Sequence, residues 1–309
     1  MTRRRAITLL GTGAAGASLA GCTTAAAVLA PDAPAPDWPP LALDLGGGIT
    51  VTALRTGSVA VKRPHAEWGG PAALALPAIV ASPRWTGWLP ITAWLVGHPD
   101  GPILVDTGET PRVAEPDYFA CDAATQFVYE RQLRFDVPPA YRLAARLDAV
   151  GVPAEEVRAV VLTHLHSDHA GGLADVPNAA VYLSRASAER DPPGAVRCRW
   201  PDGFRPSPLD YADGPAGAFR QSHALTADGA VRVVPTPGHT LGHQSVWVRG
   251  PAGSAFLAGD ASFSLDQVER RAVAGICQDH AAARRTLDVV AEHLAETGAR
   301  YLPTHAGEP

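Results

Sequence analysis

The sequence carries no lysine- or arginine-rich block beyond its first few residues, and its 26 basic and 31 acidic residues leave a net charge of only −5. A nucleic-acid partner is thereby excluded, because such binding leaves a basic patch or stripe. No uncharged run is long and apolar enough to be a confident membrane-spanning helix. Cysteine is scarce, at four residues, and none of the four falls in a CxxC pair, which argues against a cysteine-based metal site. No repeat of solenoid length is present. A nucleophilic serine is discounted as well: Ser262, in "DASFSLD", lacks the G-x-S-x-G elbow that would expose it. What remains is 309 residues with 46% hydrophobic and 18% charged content, enough for one large globular domain or two modest ones.

The N-terminus reads separately. "MTRRRAITLLGTGAAGASLAGC" opens with Arg3, Arg4 and Arg5, continues uncharged from Ala6 to Gly21, and ends in a small-residue motif. That order suits an export signal over residues 1–22, of twin-arginine type. "LAGC" resembles the lipobox of bacterial lipoproteins, which implies acylation of Cys22. The expectation is an exported protein, periplasmic or at the cell surface, held to the membrane only by a lipid at Cys22. Residues 23–40 are Ala/Pro-rich and read as a tether, with the globular domain spanning 41–309. Of the remaining cysteines, Cys121, Cys198 and Cys277, buried free thiols are expected; the alternative is one disulfide with one thiol left over.

Within the domain, "ITVTAL" (49–54), "ITAWLV" (91–96), "PILVDTG", "VRAVVLT" (157–163) and short runs at 180–183, 231–234, 245–248 and 255–257 predict strands. Helices are predicted over 140–150, with Leu143 and Leu147 one turn apart and Gly151 as the stop, and over "AARRTLDVVAEHLAETG", with Leu287, Val290 and Leu294 on one face. Short strands interrupted by helices fit a mixed α/β sandwich, with helices covering stacked sheets, although periodicity alone does not choose it over several other topologies.

Histidine is rare, at 11 residues, yet "THLHSDHAGG" (163–172) places His164, His166 and His169 within six positions. Imidazole and carboxylate are natural ligands of divalent transition metals. His164 and His166 are two apart, so on an extended strand end they point to one side. Asp168 and His169 follow where the chain turns, and face a second point. Two metal positions fit this pattern better than one. Further ligands must come from elsewhere: His239 in "PTPGHTLGH", Asp260 in "FLAGDAS" and His305 in "YLPTHAG" each follow an apolar run, the setting of functional groups on a rigid scaffold.

HxHxDH, then GHTxGH, then a strand-end aspartate and a strand-end histidine resemble the metallo-β-lactamase superfamily, over nearly the whole chain from about residue 45. The resemblance implies its αβ/βα sandwich and its ligand set. His164, His166 and His239 would bind one metal; Asp168, His169 and His305 would bind a second; Asp260 would bridge them. Asp106, in "GPILVDTG", stands where that superfamily has a structural aspartate below the metals. His243 is expected beside the ligands, in a supporting or packing role. The segments "GPILVDTG", "HLHSDHAGG", "TPGHTLGHQS", "GDAS" and "LPTH" are most similar to the N-acyl-homoserine lactonase branch. One departure concerns the substrate pocket: those lactonases place a tyrosine three residues after the bridging aspartate, and this chain has Phe263.

The implied activity is opening of lactones or esters by a metal-bridging hydroxide, with Asp168 and Asp260 as the catalytic carboxylates. Two divalent ions are implied, zinc first, with iron, manganese or cobalt compatible. The substrate is a small molecule, and the oligomeric state, a dimer included, is left open. A phosphotriesterase or a hydroxyacylglutathione-type thioesterase of the same fold, an iron oxidoreductase and a non-catalytic metal-binding module are the rival readings. Segments 65–90, 110–140 and 185–228 are expected to wall the pocket. His65, His98, His223, His280 and His293 are expected to be surface or core residues.

Overall fold

In β2 (Ile49–Val61), Ile49, Val51 and Ala53 alternate onto one buried face while Leu54 turns to the other. A strand with apolar residues on both faces must be covered on both sides, and that requirement sets the layering. The computed structural model describes residues 34–121 and 123–306. The expected export signal, Cys22 and the first part of the Ala/Pro-rich tether lie outside the described residues.

One mixed sheet runs in the order β1 (Ala42–Gly46), β2, β3 (Leu89–Gly97), β4 (Ile103–Val105), β6 (Ala159–Val161), β7 (Ala180–Ser184), β8 (Ser207–Leu209), with β5 (Leu133–Asp136) pairing the far half of β2. Pairing is antiparallel from β1 to β4 and parallel from β4 to β8. The second sheet runs β13 (Arg300–Pro303), β12 (Gly253–Gly259), β11 (Gln244–Gly250), β10 (Val231–Pro235), β9 (His223–Ala224), with only the β12–β13 pair parallel.

The sheets share a core in which Val51, Trp94, Val105 and Val161 meet Val231, Val246 and Leu257. Two further cores hold the outer helices. Leu143 and Leu147 of α4 (Leu143–Ala149) pack with Leu104 and Val160, and Leu287 and Val290 of α8 (His280–Thr297) pack with Phe256 and Val234. Helix, sheet, sheet, helix is the expected sandwich. Both expected helices form, and both stop at glycine: Gly151 and Gly298 adopt φ of 75° and 62°, a conformation glycine enters without steric cost. The remaining helices are α1 (Arg63–Ala66), α2 (Ala75–Ala81), α3 (Ala123–Gln132), α5 (Ser167–Ala170), α6 (Arg185–Glu189) and α7 (Leu265–Arg270). Among the described residues, no helix is long and apolar enough to cross a membrane.

The expectation of free thiols is corrected. Cys121 and Cys198 form a disulfide with Cα atoms 5.9 Å apart across 77 positions, leaving Cys277 free. The bond fastens the entry of α3 to the segment after α6, two stretches with no regular pairing between them.

Candidate metal centre

The strand ends β4, β6, β10, β12 and β13 lead into the loops that carry Asp106, His164 to His169, His239, Asp260 and His305. Loops at strand ends can hold polar groups that a sheet interior cannot. Ring nitrogens His164 Nε2, His166 Nδ1 and His239 Nε2 lie 2.9–3.2 Å apart. Close by, Asp168, His169 and His305 bring one ligand atom each to within 4.8 Å of the others, and His164, His169 and Asp260 do the same. The carboxylate of Asp260 stands between the groups. Its Oδ2 is 3.4 Å from His239 Nε2, while Oδ1 is 3.3 Å from His169 Nε2 and 3.5 Å from His305 Nε2.

The outward nitrogens explain the inward ones. His169 Nδ1 donates to Asp106 Oδ2 at 2.7 Å, His305 Nδ1 to Pro90 O at 2.9 Å, His166 Nε2 to Pro193 O at 3.1 Å and His164 Nδ1 to Thr163 Oγ1 at 3.1 Å. Each ring carries its proton on the outside, so each presents a lone pair to the centre. His239 Nδ1 alone has no such partner. Three neutral imidazoles whose lone pairs face one another at 3 Å repel unless a cation lies among them. His169 Nε2 and Asp260 Oδ1 are buried with no hydrogen-bond partner, a costly state for polar atoms that metal ligation removes. The donor set therefore fits divalent metal ions.

The electrostatics differ between the two groups of ligand atoms. Burial, together with neighbouring rings, holds His164 and His239 well below the ordinary imidazole range. For His169 burial also lowers the pKa, but the carboxylates of Asp260, Asp106 and Asp168 override it and raise it. Asp260 is desolvated, yet His305, His169 and His239 hold it well below the ordinary carboxylate range.

Asp106 is fully buried beneath this cluster. Besides His169, it accepts from Thr163 N at 2.7 Å and Thr163 Oγ1 at 2.8 Å. Its φ of 62° is one that aspartate tolerates better than most residues. Thr163 thus joins His164 to Asp106, a link the sequence reading missed although the residue precedes the first histidine. His243 accepts the Asp260 backbone N–H at Nε2 (3.0 Å), with Nδ1 against Thr236 Oγ1 (2.8 Å). It cannot ligate from there. It steadies Asp260, and burial pushes its pKa down to about 3. The preceding Gly259 has φ of 56°, and a Cβ there would meet His243 Nε2 at 2.8 Å. Ser262 Oγ is engaged by Ser264 O and Tyr301 Oη, both at 2.8 Å.

The centre opens into a cavity of about 360 Å³. Leu76, Val128, Leu133, Phe263 and Ile276 give it an apolar wall. Phe263 is buried, with its ring centroid 4.9 Å from that of His305, and it has no group to donate. The Tyr129 hydroxyl, also on the wall, donates to Gly194 O at 2.8 Å. Segments 65–90 and 110–140 supply wall residues as expected. From 185–228 only Pro193 and Gly194 do so, and Gly275 to Gln278 join the wall unforeseen. His65, which opens the first of these segments, is buried on the wall, with Nδ1 3.4 Å from Gln132 Oε1, and burial lowers its pKa to about 4. The other four histidines stay away from the centre, His98 pairing with Asp228 and His223 with Asp213.

Residues 86–302 match the family model of the metallo-beta-lactamase superfamily, and the chain belongs to that superfamily. Among its relatives, the N-acyl homoserine lactonase AttM of Rhizobium johnstonii is 30% identical over 229 residues, covering 70% of this chain and 82% of the relative. An N-acyl homoserine lactonase of a Bacillus species is 30% identical over 186 residues, covering 59% and 67% of the two chains. In fold, the chain is similar to an N-acyl homoserine lactone hydrolase solved with N-hexanoyl-L-homoserine at its catalytic metal center, with TM-score 0.65, 20% identity, and 82% and 92% of the two chains covered.

Proposed function

We propose that this protein is a two-metal hydrolase that opens lactones, N-acyl homoserine lactones first among them, and so acts as a quorum-quenching enzyme. The observation that carries the reading is the position of Asp260, one oxygen towards each ligand group, at the floor of an apolar cavity. On this reading His164, His166 and His239 would hold one ion, Asp168, His169 and His305 would hold the other, and the Asp260 carboxylate would serve both. Zinc is the expected ion; the ligand chemistry also accepts iron, manganese or cobalt. The lactonase relatives support the substrate class.

When bound, two divalent ions supply hydroxide at neutral pH and polarise a carbonyl oxygen. The residues do the rest. The outer hydrogen bonds that the rings donate to Asp106, Thr163, Pro90 and Pro193 keep them aimed inward, so little reorganisation accompanies reaction. Asp168 retains 14% side-chain exposure beside His305 Nε2 at 3.4 Å, which leaves a carboxylate oxygen within reach of the cavity. It takes the proton released by the attacking water. When the ring C–O bond breaks, it returns that proton to the departing alkoxide. The apolar wall takes the acyl chain and excludes bulk water. No covalent enzyme intermediate is required.

The reading extends to location. An exported, periplasmic or surface-held protein accords with the Cys121–Cys198 disulfide, since disulfides persist in oxidising compartments. The decisive experiment is a hydrolysis screen on metal-analysed protein, with N-acyl homoserine lactones of graded chain length, plain γ-lactones, aryl esters, thioesters and paraoxon-like triesters. Preferred turnover of acyl homoserine lactones is expected. Preference for the triester or thioester would transfer the site to another reaction.

A further inference from the structure

At the mouth of the cleft, the protein leaves an apolar lip in water. Leu74 and Leu76, at the start of α2, are 56% and 49% exposed, and Phe127 on the neighbouring α3 is 49% exposed. Among the described residues, the other large exposed apolar side chains, Val150, Leu241 and Leu265, sit on separate elements. Single exposed apolar residues are ordinary, whereas a group on packed helices marks a contact surface.

The lip is bordered by cations. Arg63, Arg84, Arg131 and Arg134 are exposed, and none has a carboxylate partner among the described residues. They belong to one neighbourhood. Arg63 N donates to Arg84 O at 3.0 Å, Arg131 lies 4.4 Å from the Phe127 ring, and Arg134 and Lys62 lie 4.7 and 4.0 Å from the Trp85 ring. Burial, with Arg134 alongside, lowers the pKa of Lys62. Of the nearby acids, Glu67 is paired with Arg270, while Asp136 and Glu130 have only neutral donors, Ala35 N and Gln126, and keep their charge; four arginines against these two carboxylates leave the balance positive. In a chain of net charge −5, this is a local surplus of positive charge beside exposed leucine and phenylalanine.

We infer that the lip is a docking surface for an anionic phospholipid bilayer, seating Leu74, Leu76 and Phe127 among the acyl chains and the four arginines among the headgroup phosphates. Apolar insertion flanked by basic side chains is how peripheral proteins bind anionic interfaces. A second copy of the chain is the poorer occupant, because a two-fold contact through this patch sets the arginine cluster against itself. Docking would turn the cleft towards the phase in which amphiphilic substrates concentrate. The inference holds whether or not Cys22 is acylated, and whatever the enzyme hydrolyses.

The test uses the full chain on phosphatidylcholine vesicles with and without phosphatidylglycerol, some of the lipids brominated. An environment-sensitive fluorophore is placed by Leu74→Cys or Phe127→Cys, and on the far side by Val150→Cys. Metal content and far-UV circular dichroism are checked for each. With phosphatidylglycerol, quenching at positions 74 and 127 is expected to exceed that at 150 severalfold and to fall in high salt. Arg84→Gln with Arg131→Gln should lower the docking equilibrium by about 25-fold. Equal quenching at all three positions, or quenching indifferent to phosphatidylglycerol, overturns the inference. So does a dimer in sedimentation that Leu74→Glu with Phe127→Glu abolishes.

Discussion

The floor of the cleft and its wall are built on opposite plans. On the floor, four of the five inward-facing rings are pinned from behind by an oxygen, from Asp106, Thr163, Pro90 or Pro193. On the wall, Leu76, Val128, Leu133 and Ile276 come from separate segments and contribute shape without polar anchoring. The difference teaches that chemistry and selectivity are separable here. A change beneath the floor should alter metal retention, and a change in the wall should alter which substrate is used.

The largest expected effect ties the two regions together. The disulfide fastens the entry of α3, a wall helix, to the segment that carries Pro193, the acceptor behind His166. Cys121→Ser with Cys198→Ser should cost about 2–4 kcal/mol of stability, read by denaturant unfolding at constant metal. An unchanged midpoint would show that both segments are held by other contacts.

Asp106→Asn tests the floor alone. Asparagine tolerates the φ of 62°, but its amide offers one acceptor oxygen where Thr163 and His169 use two. Metal affinity should fall by about 10–100-fold in competition with a chelator. The KM of whatever turnover remains should stay unchanged.

A smaller effect comes from behind the centre. Glu109 is fully buried, accepting from Thr110 N at 2.9 Å and Tyr118 Oη at 3.1 Å, and burial raises its pKa to about 8. Its folded pKa exceeds the ordinary value, so its contribution to stability is fully present below about 4.5 and is lost as pH rises through about 8. Glu109→Gln should remove a slope of up to about 1.4 kcal/mol per pH unit in that window, measured by unfolding at several pH values. An identical pH profile in the variant would mean that Glu109 does not titrate there.

Phe263→Tyr should have the least effect, and on the wall only. A hydroxyl at this position can donate to a bound carbonyl, worth roughly tenfold in kcat/KM for one hydrogen bond, with metal content unchanged. Loss of metal in this variant would erase the separation between floor and wall.

The same contrast governs what the sequence disclosed. The grouping on the floor was legible because its donor residues are rare types, packed into 164–169 or set singly after apolar runs at 239, 260 and 305. Strand and helix periods were legible too, since Leu143 with Leu147 and Leu287 with Val290 do bury as spaced. The wall was legible only as broad segments. Ile276 lies outside them and has no local pattern that distinguishes a cavity lining from a core, because only the tertiary fold decides which side it faces. The disulfide was misread for a related reason: pairing of Cys121 with Cys198 depends on an approach across 77 positions that no local pattern encodes. Thr163 and Pro193 escaped notice because each acts through one oxygen behind a ligand.

The most direct measurement is metal stoichiometry and lactone turnover on the same preparations of the unaltered chain and Asp260→Ala. Two divalent ions per chain with opening of N-acyl homoserine lactones are expected for the first, and loss of both metal and turnover for the second. Full turnover by Asp260→Ala, or by metal-stripped protein, would contradict the two-metal account.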